Sequence, residues 1–413
     1  MVRVDEGKSR SQKIICLSAL FLAWAVGYVD RIVMSTAIIP IGKEFALDAQ
    51  QLGLVLSSFY VSYAIMQLFG GWMSDRFGSR IVVVTCVVAW SLFTGMTALA
   101  WSFASLVVIR FIFGMGEGCF SPASSVTVAE VFPKNERGRA KSFLISTVYL
   151  GSAVGSGLVA VTVAYFGWRS TFVGLAAAGL MVSAILWFAL KSGISEQRAR
   201  ETVSGGFSQI KELFKNPAAL KLSAIWFSST LLSIGMLSWM PSFLIKQFNV
   251  DLLHAGLASA VPYLVAFLST NFAGWMLDKV GGKYEKHFMA FGALGCALFL
   301  SLMITTTSMA LSILYWSFCL ISFNFIYSTV FSVPLKRFDS AVIGSATGLV
   351  NFFGQVGAAL APTIMGSMIV AFNGSYFAAF WFLVACAFVA FFLALTWKTP
   401  DALAFPAGAQ ANG

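Results

Sequence analysis

Charge is what this chain has least of. Only 11% of its 413 residues are Asp, Glu, Lys or Arg, while 58% are hydrophobic and the mean hydropathy is +0.83. No single soluble core could enclose that much apolar side chain, so a soluble globular fold is excluded. Histidine is nearly absent: His254 and His287 both fall near the ends of apolar runs, which argues against a buried imidazole relay. The six cysteines (Cys16, Cys86, Cys119, Cys296, Cys319, Cys386) show no C-x-x-C spacing. They read as small packing residues, neither disulfides nor metal ligands. The polar N-terminal residues through Lys13 carry no cleavable signal pattern, and the apolar run behind them is long enough to stay as a helix. A phosphate loop, a metal-ligand cluster and a nucleophile–base–acid set are also missing, so an enzyme and a resident cofactor are not expected.

What is present is length of apolar run. Twelve stretches of membrane-crossing length alternate with short charged patches: 14–38, 52–74, 81–101, 104–131, 141–166, 170–191, 220–246, 253–277, 287–305, 308–333, 342–371 and 375–397. In lipid every backbone polar group must be satisfied internally, and the alternating strands of a barrel are not seen, so the expectation is an all-α integral membrane protein of twelve helices. Of the 27 Lys and Arg residues, Arg31 and Arg110 lie inside spans, and Lys43, Arg169 and Lys246 follow spans 1, 5 and 7. The remaining 22 occupy the termini and the loops after even-numbered spans. That asymmetry places both termini in the cytoplasm. The net charge of +10 is then a basic face against anionic lipid headgroups, with no call for nucleic acid.

The chain also repeats itself. GWMSDRFGSR at 71–80 returns as GWMLDKVGGK at 274–283, an offset of 203 residues, each copy following the second span of its half. Between the halves lies the longest polar stretch, 192–219. The organisation expected is a six-helix bundle over 1–191, a cytoplasmic linker over 192–219, a second bundle over 220–397 and a cytoplasmic tail over 398–413. A duplicated six-span unit is a transporter architecture. In the first copy, Gly71 permits close helix approach, Asp75 can pair with a basic group or a helix N-terminus of the other bundle, Gly78 turns the chain, and Arg76 and Arg80 stay at the headgroups. With Gly274, Asp278 and Lys279 of the second copy they form a candidate cytoplasmic gate; the plainer alternative is a charged turn that only sets topology.

Four ionisable residues lie deep within spans, all in the first half: Asp30, Arg31, Arg110 and Glu117. Charge at that depth costs about 2.5–3.5 kcal/mol on insertion scales, so such groups face a protein interior or a cavity. Arg110 and Glu117 share a helix face about 10 Å apart along the axis, and Gly114 and Gly116 between them thin the helix and leave room. Asp30 and Arg31 point about 100° apart and cannot aim at one spot. One pair could hold an anion and the other a proton; a purely structural ion network joining spans 1 and 4 is the alternative.

The repeated G-x-x-x-D-R-x-G-x-R loop resembles the signature of the major facilitator superfamily. YVDR at 28–31, RFIFGMGEG at 110–118 and VFPKNERGRA at 131–140 resemble, more narrowly, its anion:cation symporter family, which includes bacterial galactonate, glucarate and hexuronate transporters and sialin-like organic-anion carriers. The resemblance implies two pseudo-symmetric six-helix bundles and proton-coupled uptake of a carboxylate. It implies that Asp30 and Glu117 are the proton-coupling carboxylates, that Arg31 faces the substrate carboxylate, that Arg110 is coupled to the glutamate, and that Tyr63 and Asn351 face the substrate. Gln355, one turn beyond Asn351, could donate as well, and Ser328 aligns with a polar contact in span 10. Two positions depart from the family pattern: Thr147 or a neighbour stands where sugar-acid members have a glutamine, and Phe331 where they have a tryptophan.

The function expected is secondary active symport of an organic carboxylate, such as a sugar acid or related monocarboxylate, with protons. The protein is expected to act as a monomer in a bacterial cell inner membrane, with the proton as coupling ion. Proton-driven efflux of amphipathic or anionic compounds is the alternative, and a non-transporting membrane sensor a more distant one.

Overall fold

The computed structural model describes residues 10–190, 213–280, 284–337 and 343–397. Regular structure there is helical, with no strand among the described residues. The first half contains α1 (Arg10–Glu44), α2 (Ala49–Phe77), α3 (Ser79–Thr97), α4 (Phe103–Gly118), α5 (Phe120–Val131) and α6 (Lys134–Ala189). The second half contains α7 (Pro217–Phe248), α8 (Leu252–Val280), α9 (Glu285–Thr305), α10 (Met309–Arg337), α11 (Ile343–Ala371) and α12 (Tyr376–Leu395). Side chains such as Phe188, Trp101, Leu268 and Phe392 stand outward on the helices, the surface of a protein whose solvent is lipid.

Local chemistry sets where these helices begin and break. Asp48 and Ser102 close capping boxes on α2 and α4 with Gln51 and Ser105. Asn216 caps α7 and Pro217 takes its first position, so residues 217–219 of the expected linker are already helix; most of that linker, like the 398–413 tail, lies outside the described residues. The fourth apolar run is not one continuous helix. Pro122 has no N–H to give the Gly118 carbonyl and its ring crowds that oxygen, so the helix is interrupted at Cys119, two residues after Glu117.

The 56-residue α6 is the opposite case. It is far longer than the bilayer's hydrocarbon core requires, and it turns back at Gly167 (φ 79°, ψ 162°), a conformation open to glycine almost alone. Its two arms are the fifth and sixth crossings. Beside the turn, Trp168 Nε1 donates to Glu44 Oε2 at 2.9 Å and Arg169 pairs with Glu44 at 2.6 Å, fastening α6 to the end of α1. With α4 and α5 as one crossing and α6 as two, the described residues make twelve crossings, and the start of α1 and the end of α12 lie on one face, called here the terminal face.

The halves meet along two seams, α2 against α11 and the first arm of α6 against α8. Contact is tightest toward the face opposite the termini. There Thr363 Oγ1 donates to Ser57 Oγ at 2.7 Å, and a Cβ added at Gly53 would fall on the Pro362 carbonyl. Gly256 lies against Ser156 and Ala160. On the terminal side of both seams the fit loosens: a Cβ added at Gly274 or Gly348 would meet nothing within 4 Å.

The two cores differ. In the second half one apolar cluster runs from Leu222 through Trp239 to Ile369 and Phe380. In the first half the core is split. Ala19, Leu20, Trp24, Trp90 and Phe113 belong to one cluster, and Val33, Ile38, Leu106, Ile109 and Phe172 to another. Asp30, Arg31, Arg110 and Glu117 occupy the layer between. Gly167→Ala should cost about 1–3 kcal/mol through backbone strain alone. Thermal unfolding in detergent tests this; an unchanged midpoint would mean that the turn relaxes without strain.

Candidate functional site

The charged layer is built by close helix approach. An added Cβ at Gly114 would fall on the Phe59 carbonyl and the Ser62 hydroxyl, and one at Gly118 would stand 2.7 Å from the Tyr63 carbonyl. These glycines therefore press α4 against α2. Gly116 faces Trp90 of α3 in the same way. The room expected beside Gly114 and Gly116 is filled by neighbouring helices; small residues here serve approach.

Within this layer Arg31 meets Glu117. Arg31 Nη2 lies 2.6 Å from Glu117 Oε1, and Arg31 Nε donates to the same oxygen at 2.8 Å. The guanidinium also stacks against three rings, with Cζ 4.8 Å from the Tyr28 centroid, 4.6 Å from Tyr63 and 5.3 Å from Phe59. The expected partnership of Arg110 with the glutamate is thus not the direct one. Arg110 is 2% exposed and lies against Phe113 (4.5 Å) and Phe59 (5.3 Å), with no ion pair among the described residues. The physical reason is reach: Arg110 and Glu117 are two turns apart on one helix, whereas α1 brings Arg31 in at the level of Glu117.

Two carboxylates are left with unused oxygens. Among the described residues, Glu117 Oε2 and both oxygens of Asp30 are buried without a well-formed hydrogen bond, with the Thr94 hydroxyl near Asp30. Asp30 is 1% exposed. A buried carboxylate lacking hydrogen bonds is costly as an anion and far less so as the neutral acid. Arg31, Glu117, Tyr28, Tyr63, Trp24 and Trp90 line a water-sized cavity of about 10 Å³.

From this pair a chain of polar contacts crosses to the second half. Tyr63 Oη accepts from Gln67 Nε2 at 3.1 Å, and Gln67 Oε1 accepts from Asn351 Nδ2 at 2.9 Å. Tyr63 and Asn351 are therefore brought to one place, while Gln355 and Ser328 are half-buried on α11 and α10. A second link joins the halves at Tyr149, whose hydroxyl donates to Asn324 Oδ1 at 2.5 Å; Asn324 in turn donates to the Ala266 carbonyl and to Ser269. Thr147, the suggested replacement for the family's glutamine, is fully buried and donates to its own helix at Leu144. Phe331 packs edge-on against Trp226 at 5.1 Å, so the tryptophan in this region comes from α7 instead of α10.

Sequence reasoning missed Gln67 and Tyr149. Gln67 was detectable, because it lies four residues after Tyr63 and so shares its helix face. Tyr149 carried no such signal, since its partner is 175 residues away.

The repeated loops are described in part. The side chains of Gly71, Asp75 and Asp278 lie outside the described residues, and so does the pairing expected of Asp75. Gly78 joins α2 to α3 at φ 85°. Arg80 donates to the Trp187 carbonyl at 2.6 Å and stacks on that indole at 4.1 Å. The two copies share one contact: Arg76 lies over Trp72 at 5.5 Å, and Lys279 over Trp275 at 4.9 Å. Gly274 faces open space.

Comparison with known proteins agrees with this geometry. The family model described as Major Facilitator Superfamily matches residues 19–362. The chain is 29% identical over 388 residues to the hexuronate transporter of Bacillus subtilis, covering 89% of this chain and 90% of that protein. It is 26% identical over 396 residues to the D-galactonate transporter of Escherichia coli O6:H1, covering 88% and 91%. Among solved structures, a bacterial homologue of the human lysosomal transporter Spinster superposes with a TM-score of 0.81 at 20% identity, over 94% of this chain and 98% of that one. A D-xylose–proton symporter gives 0.76 at 18% identity, over 94% and 98%. At such identities the structural likeness speaks for the fold.

Removing one partner of a buried ion pair strands the other, so Glu117→Ala should destabilise the protein by about 3–5 kcal/mol, and Arg31→Met/Glu117→Leu should recover most of that loss. Chemical unfolding of the three proteins in detergent checks this. Equal losses in the single and double variants would show that the pairing does not account for the effect.

Proposed function

Because this chain belongs to the major facilitator superfamily and is a transporter, not an enzyme, we propose that it carries an organic carboxylate, a sugar acid or related monocarboxylate, in symport with protons. The single observation behind this reading is that Arg31 holds a carboxylate of the protein itself. The Arg31–Glu117 pair has the geometry that a substrate carboxylate would need, with two donors of one guanidinium on one acceptor group. Substrate and Glu117 therefore compete for the same cation. A proton on Glu117 removes the competitor's charge and hands Arg31 to the substrate. Loss of that proton restores the internal pair and expels the substrate. Coupling then needs no contact between proton and substrate, only a shared arginine.

Asp30 is the second proton site in this scheme. Its buried carboxyl sits near the Thr94 hydroxyl and within electrostatic range of both Arg110 and Glu117, so a proton there and the charge on Glu117 influence each other. Hexuronates and galactonate, named for the two relatives, are hydroxylated monocarboxylates, which suits a single guanidinium beside Tyr63, with Gln67 and Asn351 beyond it. The tight seams away from the termini and the looser ones beside them suit one state of an alternating-access cycle. With the terminal face cytoplasmic, as the Lys and Arg distribution indicates, that state is inward-facing, and the setting is the inner membrane of a bacterium.

Two outcomes are expected in proteoliposomes loaded with a sugar acid. With the membrane potential clamped, a gradient of one pH unit supports about tenfold accumulation for each coupled proton. Asp30→Asn and Glu117→Gln should abolish this accumulation while leaving substrate exchange at equal pH; retained accumulation in both would sink the coupling scheme. Arg31→Lys keeps the charge but loses the fork, and should weaken binding by about 10–100-fold in a thermal-shift or competition titration. Wild-type affinity would make Arg31 a structural residue.

A further inference from the structure

We propose that Gln67 is a substrate-specificity residue that reads the hydroxyl on the carbon next to the substrate's carboxylate. The proposal rests on the carboxylate-symport reading, and it adds a residue and a chemical group to it.

The argument begins with where Gln67 is held. It lies on α2 one turn beyond Tyr63, half-buried, and its amide is used on both sides. Gln67 Nε2 donates to Tyr63 Oη at 3.1 Å, and Gln67 Oε1 accepts from Asn351 Nδ2 at 2.9 Å. The Tyr63 ring in turn lies against the Arg31 guanidinium, 4.6 Å from Cζ. Gln67 is thus one side chain away from the cation that takes the carboxylate, and it bridges to the second half across the middle of the α2–α11 seam. The Ser57–Thr363 contact on the same seam is ten residues, about 15 Å, nearer the face opposite the termini.

The amide's remaining capacity matches a hydroxyl. Gln67 Oε1 has a second lone pair and Gln67 Nε2 a second hydrogen, so the side chain can accept from and donate to one O–H group. Tyr63 accepts from Gln67, which leaves its own hydrogen free for the carboxylate. A carboxylate on Arg31 and Tyr63 places its neighbouring carbon, and the substituent there, toward Gln67. An α-hydroxyl can also replace Asn351 as the donor to Gln67 Oε1, freeing Asn351 for hydroxyls further along the chain. A substrate with hydrogen at that carbon offers none of these exchanges. Sites built to hydrogen-bond a hydroxyl discriminate against analogues lacking it, because the site's own polar groups go unpaired.

The test uses two pairs of acids that differ only in this hydroxyl: galactonate with 2-deoxygalactonate, and lactate with propionate. Binding is measured by competition and thermal shift on the purified full-length protein. Wild type should prefer the hydroxylated member of the pair it binds by about tenfold. Gln67→Met, similar in length and apolar, should bind both members within about twofold of each other, at the affinity wild type shows for the deoxy acid. Gln67→Asn, which keeps the amide but withdraws it by one methylene, should also lose the preference and serves if the methionine variant does not fold. A wild-type protein without the preference, or a Gln67 variant that retains it, overturns the role of Gln67 and leaves carboxylate transport standing. Failure of wild type to bind any of the four acids overturns the carboxylate reading itself.

Discussion

An arginine and a glutamate joined inside a bilayer-embedded bundle set the terms for everything around them. Neither charge is tolerable there alone. Arg31 is surrounded by Glu117 and three aromatic rings, so its charge is balanced on one side and polarised on the others. That arrangement requires α1, α2 and α4 to come unusually close, which the small residues of α4 allow. It also divides the first half's core into two apolar clusters with a polar layer between them. Among its described residues the second half has no comparable layer; one large apolar cluster dominates it, with two small ones beside it. Duplicated topology has been put to unequal use: one half holds the charges, and the other supplies an apolar wall with polar points such as Asn351 and Asn324.

The same pair explains why the polar contacts between the halves converge where they do. Asn351 reaches Gln67, Gln67 reaches Tyr63, and Tyr63 lies on Arg31. A change in what Arg31 holds is therefore felt within three side chains by α11. Tyr149 and Asn324 make the equivalent crossing on the other seam. Both crossings are mid-helix hydrogen bonds between side chains, which can be exchanged for bonds to a ligand at little net cost. The contacts nearer the face opposite the termini are of another kind, with glycines packed directly against backbone carbonyls of the other half.

Much of this was legible in the sequence, for physical reasons. A bilayer allows few backbone solutions, so apolar run length alone reported the helices. The four buried charges were conspicuous because lipid makes them expensive. Pairing was not legible. Arg110 and Glu117 share a helix face but stand two turns apart, and which arginine meets the glutamate depends on the rotation of α1 against α4, a tertiary quantity. The glycines of α4 could be recognised as places of low volume, but sequence could not say whether a ligand or a neighbouring helix fills that volume. Pro122 was visible from the start, and its effect on the Gly118 carbonyl follows from proline chemistry; it was hidden by the apolar continuity of the run around it. Gln67 stood one turn from a recognised tyrosine, but only the fold reveals that Asn351 lies opposite.

The reversal at Gly167 has a mechanical meaning. Two crossings are joined there by essentially a single residue, with no length of loop to take up relative movement. The first arm of α6 touches α1 at Ala25, Tyr28 and Val29 and touches α8 of the other half near Ala160, while Glu44 clasps the residues just past the bend. A displacement that starts at the seam with α8 finds no slack before it reaches the second arm or the end of α1. Those segments are obliged to travel as one stiff block, and the charged layer travels with them undistorted. The give in this molecule must be sought between the halves, where side chains can change partners, and not inside the first half, where the backbone leaves nothing to stretch.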